Sequence, residues 1–113
     1  MKTLVWLGDS RSRIKSFPTS IRDEVGYALY VAQFGEMSSK AKPLRGLGGG
    51  VMEIVATDGS GTYRAVYVVS IGDAIYVLHA FQKKSKSGIA TPKLEIDLVR
   101  QRLKLLRSEV KDA

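Results

Sequence analysis

The sequence predicts an α+β fold: a small antiparallel sheet with two N-terminal helices and one C-terminal helix. Two patterns carry this. Apolar residues recur at helical spacing before residue 35 and after residue 91, and three strand-like runs follow one another between residues 51 and 83 with short turns between them. The order reads β-α-α-β-β-β-α. Strands in immediate succession imply an antiparallel meander, with the helices packed on one face. The 113 residues fit one domain spanning 1–113, and a composition 44% hydrophobic and 26% charged is that of a globular chain.

Thr3 to Leu7 is a short apolar run that predicts the first strand. Asp9 and Ser10 are suited to cap a short helix that Phe17-Pro18 ends. Thr19 or Ser20 caps a second helix reaching about Phe34, with Ile21, Val25, Ala28, Leu29 and Ala32 on one face. Gly26 inside it suggests a close contact with a neighbouring element. Residues 35–50 are irregular and end in the run Gly46-Leu47-Gly48-Gly49-Gly50. Strands follow at about 51–57, 62–70 and 74–83, joined by Asp58-Gly59-Ser60-Gly61 and Gly72-Asp73. In the last, Ile75, Val77 and Phe81 alternate with Tyr76, Leu78 and Ala80, so it is apolar on both faces and belongs in the sheet centre. After a polar loop at 84–90, Thr91 and Pro92 open the final helix. Its stripe of Ile96, Val99, Leu103, Leu106 and Val110 is widened by Leu94, Leu98 and Leu105, which implies deep burial or contact with another chain.

The composition excludes several classes. With no cysteine there is neither disulfide nor thiolate metal site, and the one histidine, His79, argues against a zinc centre built by the protein. No apolar run approaches a membrane span, and the N-terminal apolar stretch is too short for a signal peptide. A cytoplasmic protein needing no cofactor is expected.

The net charge of +7 directs attention to a polyanion. Half of the 18 Lys and Arg lie between residues 80 and 113. Phe81-Gln82-Lys83-Lys84-Ser85-Lys86 is the densest cationic run, at a strand exit, and reads as a clamp on an RNA backbone or as a solubilising turn. The glycine run lacks the Gly-Lys-Ser/Thr of a phosphate loop. Arg64 lies on a strand face with Val66 and Val68, while Tyr63 faces the other way with Ala65 and Tyr67. A strand arginine suits phosphate, because guanidinium binds two oxygens in a fork and keeps its proton; a solvated edge or a cross-strand ion pair, with Glu53 as a candidate, is the plainer reading. His79, inside an apolar strand, reads as a satisfied core residue rather than a catalytic base.

The stretch Lys42-Pro43-Leu44-Arg45-Gly46-Leu47-Gly48-Gly49-Gly50-Val51-Met52-Glu53-Ile54 is followed by Tyr63-Arg64-Ala65-Val66-Tyr67. Next come Ile75-Tyr76-Val77-Leu78-His79-Ala80-Phe81-Gln82-Lys83-Lys84-Ser85, then Thr91-Pro92 through Glu95-Ile96 to Arg100. In this order and spacing, over about residues 42–102, these resemble the phage-derived HigB-type branch of the RelE superfamily of toxins. The resemblance implies a RelE-like fold and a ribosome-dependent endoribonuclease that enters the ribosomal A site and cuts messenger RNA. It implies a cognate antitoxin, usually a helix-turn-helix protein. It gives Arg64 a contact with the scissile phosphate, Lys83 and Lys84 a role in phosphate binding and proton transfer, and Glu53 the place of the acid on the preceding strand. Arg45, Lys42, Lys86 and Tyr63 are the further RNA contacts expected. The chain departs from the pattern at Val55, where many relatives carry arginine, and in having no tyrosine beyond Tyr76. A non-catalytic RNA- or ribosome-binding module of the same fold, or a basic surface docking an acidic partner, are the competing readings.

Overall fold

The computed structural model describes residues 1–83 and 92–110. Its elements are β1 (Thr3–Trp6), α1 (Ser10–Lys15), α2 (Thr19–Gln33), β2 (Ala41–Pro43), β3 (Val51–Asp58), β4 (Gly61–Val68), β5 (Ala74–Lys83) and α3 (Lys93–Glu109). One five-stranded sheet runs in the order β1-β5-β4-β3-β2. The predicted meander is β3-β4-β5, antiparallel throughout.

The architecture differs from the expectation in four respects. First, β1 pairs with β5 in parallel, so the sheet is mixed. Second, residues 41–43 of the segment read as irregular form β2, an edge strand paired with β3. Third, β4 holds the middle of the sheet and β5 lies one place in from the edge, apolar on both faces because both faces are covered. Fourth, the helices lie on two faces. Val25, Leu29 and Ala32 of α2 pack on Ile54, Ala65 and Val77, whereas Val99, Leu103 and Leu106 of α3 pack on Val66, Val68 and Leu78 across the sheet. A sheet with apolar residues on both sides needs a cover on each.

Local expectations fare unevenly. Pro18 and Pro92 occupy the positions before α2 and α3, with no side-chain capping bond; Thr91 lies outside the described residues. Asp9 precedes α1 but does not cap it. Gly26 is not held by a close approach, since a Cβ there would meet nothing within 4 Å. Gly50 is needed: its φ of +80° disfavours a side chain, and a Cβ would run into Ser70. Leu94 and Leu105 are exposed rather than core.

The decisive irregularity is in β5. Tyr67 is opposite Val77, but Val66 is opposite His79, so the ladder steps over Leu78. One extra residue in a strand re-aims every side chain after it. Before the bulge, Ile75 and Val77 face α2; after it, His79, Phe81 and Lys83 stand opposite Val66, Arg64 and Thr62 and share their face. The strict alternation that put Phe81 with Ile75 and Val77 is therefore corrected. The bulge is held by Arg102 of α3, whose Nη1 donates to the Leu78 carbonyl at 2.8 Å, while Nη2 donates to Asp9 Oδ1 at 2.9 Å. Gly8 makes room: a Cβ there would meet the Arg102 guanidinium at 2.6 Å.

Truncating the two leucines of α3 separates its faces. Leu103→Ala removes a side chain from the core under α3 and is expected to cost about 2–5 kcal/mol in urea unfolding. Leu105→Ala, on the exposed side, is expected to stay within about 0.5 kcal/mol of the parent.

Candidate functional site

The strand register collects four of the eight predicted site residues, Lys42, Glu53, Arg64 and Lys83. Glu53 and Val55 on β3, Arg64 on β4 and Lys83 on β5 all point to the α3 side of the sheet. Glu53 is opposite Val66, Val55 opposite Arg64, and Thr62 opposite Lys83. Lys42 on β2 is opposite Glu53 and joins the same face. Four adjacent strands thus carry a charged row that runs Lys42, Glu53, Arg64, Lys83. Arg64 and Lys83 are diagonal neighbours, about 7–8 Å apart at the backbone by sheet geometry.

Within the row, Arg64 Nη1 donates to Glu53 Oε1 at 2.9 Å. The pair is buried, with side chains 6% and 2% exposed, and Lys83 is 8% exposed. The arginine is therefore the cross-strand partner of Glu53, and its charge is committed inside the fold. Any anion at this guanidinium would compete with a carboxylate already in place.

Other predicted residues are not brought together here. Tyr63 points to the opposite face, where its ring lies 4.8 Å from Phe17 and its hydroxyl shares a 2.6 Å hydrogen bond with Ser60 Oγ. It meets the α1 side, not the arginine beside it in sequence. Arg45 is exposed on the loop after β2, outside the register that groups the others. Lys84 and Lys86 lie outside the described residues.

A second constellation escapes the sequence. His79 is buried and stacks on Phe81 at 5.4 Å. Its Nε2 lies 2.8 Å from Glu95 Oε1, and its Nδ1 lies 3.4 Å from Arg102 Nη1. A guanidinium can only donate. The Nδ1 nitrogen is therefore the acceptor, the ring proton sits on Nε2, and His79 donates to Glu95. Burial pushes the imidazole below its ordinary pKa of 6.5, against the pull of the Glu95 carboxylate. Asp9 takes Arg13 Nε at 2.7 Å as well as Arg102, and these two arginines, Arg13 foremost, hold its carboxyl well below the usual range. The chain from Glu95 through His79 and Arg102 to Asp9 ties α3, β5 and the start of α1 together. Its members are 16, 23 and 93 residues apart, a separation that no local pattern reveals.

Beside this network, a cleft of about 510 Å³ wraps the part of β5 beyond its pairing with β1, bordered by α1 and the first turn of α3. Among the described residues, no three His, Asp or Glu side chains are grouped to hold a metal ion.

With this geometry in hand, the class is clear. The sheet, its helices and their order match a crystal structure of the isolated E. coli RelE toxin, with a TM-score of 0.56 and 16% identity over 89% of this chain and 98% of that one. The fold is RelE-like, as the sequence resemblance implied. The family described as phage derived protein Gp49-like (DUF891) matches residues 12–104, and the chain belongs to it. No curated protein matches the sequence.

Two outcomes test these electrostatics. Arg64→Ala leaves the buried Glu53 carboxylate with one cation fewer and is expected to cost on the order of 3 kcal/mol in urea unfolding, most of it recovered by Arg64→Lys. Because His79 binds its proton more weakly in the folded chain than in the unfolded one, folding stability is full above about pH 6.5. It falls as the pH drops below that value, where the unfolded chain takes up the proton first. Unfolding midpoints at pH 7 and pH 5 should show this slope, and His79→Gln should flatten it.

Proposed function

We propose that the chain is the toxin of a type II toxin–antitoxin pair: a ribosome-dependent endoribonuclease that cuts messenger RNA in the A site and so inhibits translation. The observation that carries this reading is the shared face of Arg64, Lys83 and Glu53 on three adjacent strands of a RelE-like sheet. Membership in the Gp49-like family and a net charge of +7 support it.

The reaction needs no metal and no enzyme nucleophile. The RNA 2′-hydroxyl attacks the adjacent phosphorus, the new 2′-O–P bond forms, and the P–O5′ bond breaks. Glu53 takes the 2′-hydroxyl proton, and Lys83 returns one to the departing 5′-oxygen. The ion pair couples these events. As Glu53 gains the proton it loses its charge, and its hold on Arg64 weakens. The guanidinium is then released toward the phosphate as that group gains negative charge. Lys42 and Arg45 add positive charge for the RNA backbone, and Lys84 and Lys86, outside the described residues, are further proposed phosphate contacts. DNA lacks the attacking hydroxyl and is not cut.

In the cell, the toxin is cytoplasmic and is silenced by a cognate antitoxin of helix-turn-helix type. Among the described residues no helix is long and apolar enough to cross a membrane.

A second reading, a non-catalytic ribosome-binding module, is favoured by one observation. Val55 stands opposite Arg64, where an arginine in many relatives supplies a further cation, and here Arg64 is already paired with Glu53.

Purified chain added to a translating ribosome, followed by primer extension, separates the two. Cleavage in the A-site codon is expected. Lys83→Met and Arg64→Lys, both chosen to keep the fold, are expected to lower its rate about 100-fold. Ribosome binding with no cut in the wild type supports the module instead.

A further inference from the structure

The cleft around the outer part of β5 carries an acid where an RNA-binding surface has least use for one. Arg13 comes to it from α1, Phe17 from the segment between α1 and α2, Tyr63, Phe81 and Gln82 from the strand ends, and Glu95 from α3. Its volume of about 510 Å³ suits a single nucleotide. The Phe17 and Tyr63 rings give it an apolar wall, and the Arg13 side chain, 45% exposed, gives it a permanent cation. Arg13 spends its Nε on Asp9, and a guanidinium has further donors on its terminal nitrogens.

Glu95 is the informative member. Its carboxylate borders the cleft, is 27% exposed, and is held by the buried His79 ring, whose own tautomer Arg102 fixes. A carboxylate repels phosphate and accepts hydrogen bonds only, so what it recognises must present N–H or O–H groups; the ribose hydroxyls are common to every nucleotide, so only the N–H groups of a base can tell one nucleotide from another. Among the four RNA bases, guanine alone offers two adjacent donors, N1–H and the N2 amine, at the spacing of a carboxylate fork. Adenine and cytosine set one amine beside an acceptor, and uracil sets one N–H between two acceptors. The location fits as well. Phe81 in the cleft is opposite Arg64, and Gln82 precedes Lys83, so a base held there is next to the charged row.

We propose that this cleft is a guanine-nucleotide subsite for the RNA substrate, in which Glu95 reads the base, His79 positions Glu95, and Arg13 holds a flanking phosphate. The proposal deepens the ribonuclease reading and rests on it for its substrate.

The full chain, isotopically labelled, is titrated with GMP, IMP, AMP, CMP and UMP, and amide shifts are followed by NMR. GMP is expected to bind about tenfold or more tighter than AMP, with IMP, which lacks the N2 amine, in between. The shifts are expected at Phe17, Gln82 and Glu95. Glu95→Gln is expected to erase the preference for GMP, and Arg13→Gln to weaken all five alike. Equal affinities for the five nucleotides in the wild type, or shifts centred away from the cleft, overturn the subsite without recourse to any variant. So does a Glu95→Gln chain that folds and still prefers GMP. Nucleotide binding requires neither ribosome nor cleavage. A chain that prefers GMP but never cuts a message keeps the subsite and loses the ribonuclease reading. One that cuts messages yet shows no preference for GMP loses the subsite alone.

Discussion

One extra residue in β5 determines which charges share a face. Leu78 has no partner in the ladder, and its carbonyl, left over by the bulge, is taken by Arg102. A buried carbonyl without a donor is costly, so the bulge persists because that arginine is there. Arg102 is in turn anchored to Asp9, and Gly8 lets the guanidinium lie against the chain. Without the step, Lys83 would fall in phase with Ile75 and Val77 and look toward α2. With it, Lys83 lies beside Arg64. A bulge redirects side chains, and this one does so for three alternate residues in succession, His79, Phe81 and Lys83.

The charges are handled with the same economy. Arg64 and Glu53 are both buried, a position tolerable because they are bonded to each other. The pair keeps a guanidinium desolvated in a chain of net charge +7. His79 plays a comparable part on the neighbouring strand: kept neutral by burial, it holds Glu95 at the edge of the cleft rather than carrying charge itself.

Much of this fold is legible in the sequence, and what is not has a common cause. The strands β3, β4 and β5 and helices α2 and α3 follow from periodicity and turn residues. Alternation places Arg64 away from Tyr63 but leaves Glu53 as only one candidate beside a solvated edge; the register decides the pair. Misread are features decided between distant segments. β2 spans three residues, too few for a pattern, and gains its structure by pairing with β3. The parallel pairing of β1 with β5 joins the two ends of the described sheet order in sequence. The bulge depends on a helix that comes later in the chain. Arg102 reads as one more cation on a helix surface until its partners, 24 and 93 residues away, are known. The site is harder still: His79 looks like core, and is core, yet its ring nitrogen positions the carboxylate of Glu95.

The grip of Arg102 on Leu78 also has a consequence in time. Ribosomes deliver the N-terminus first, so the sheet strands emerge before the helix that locks their phase. Until α3 docks, β5 has only water as donor for its spare carbonyl and gains nothing from the stepped register over a regular one. The cations of the sheet come to a common face as the last element settles, so a nascent or truncated chain ending before that helix lacks what aligns them.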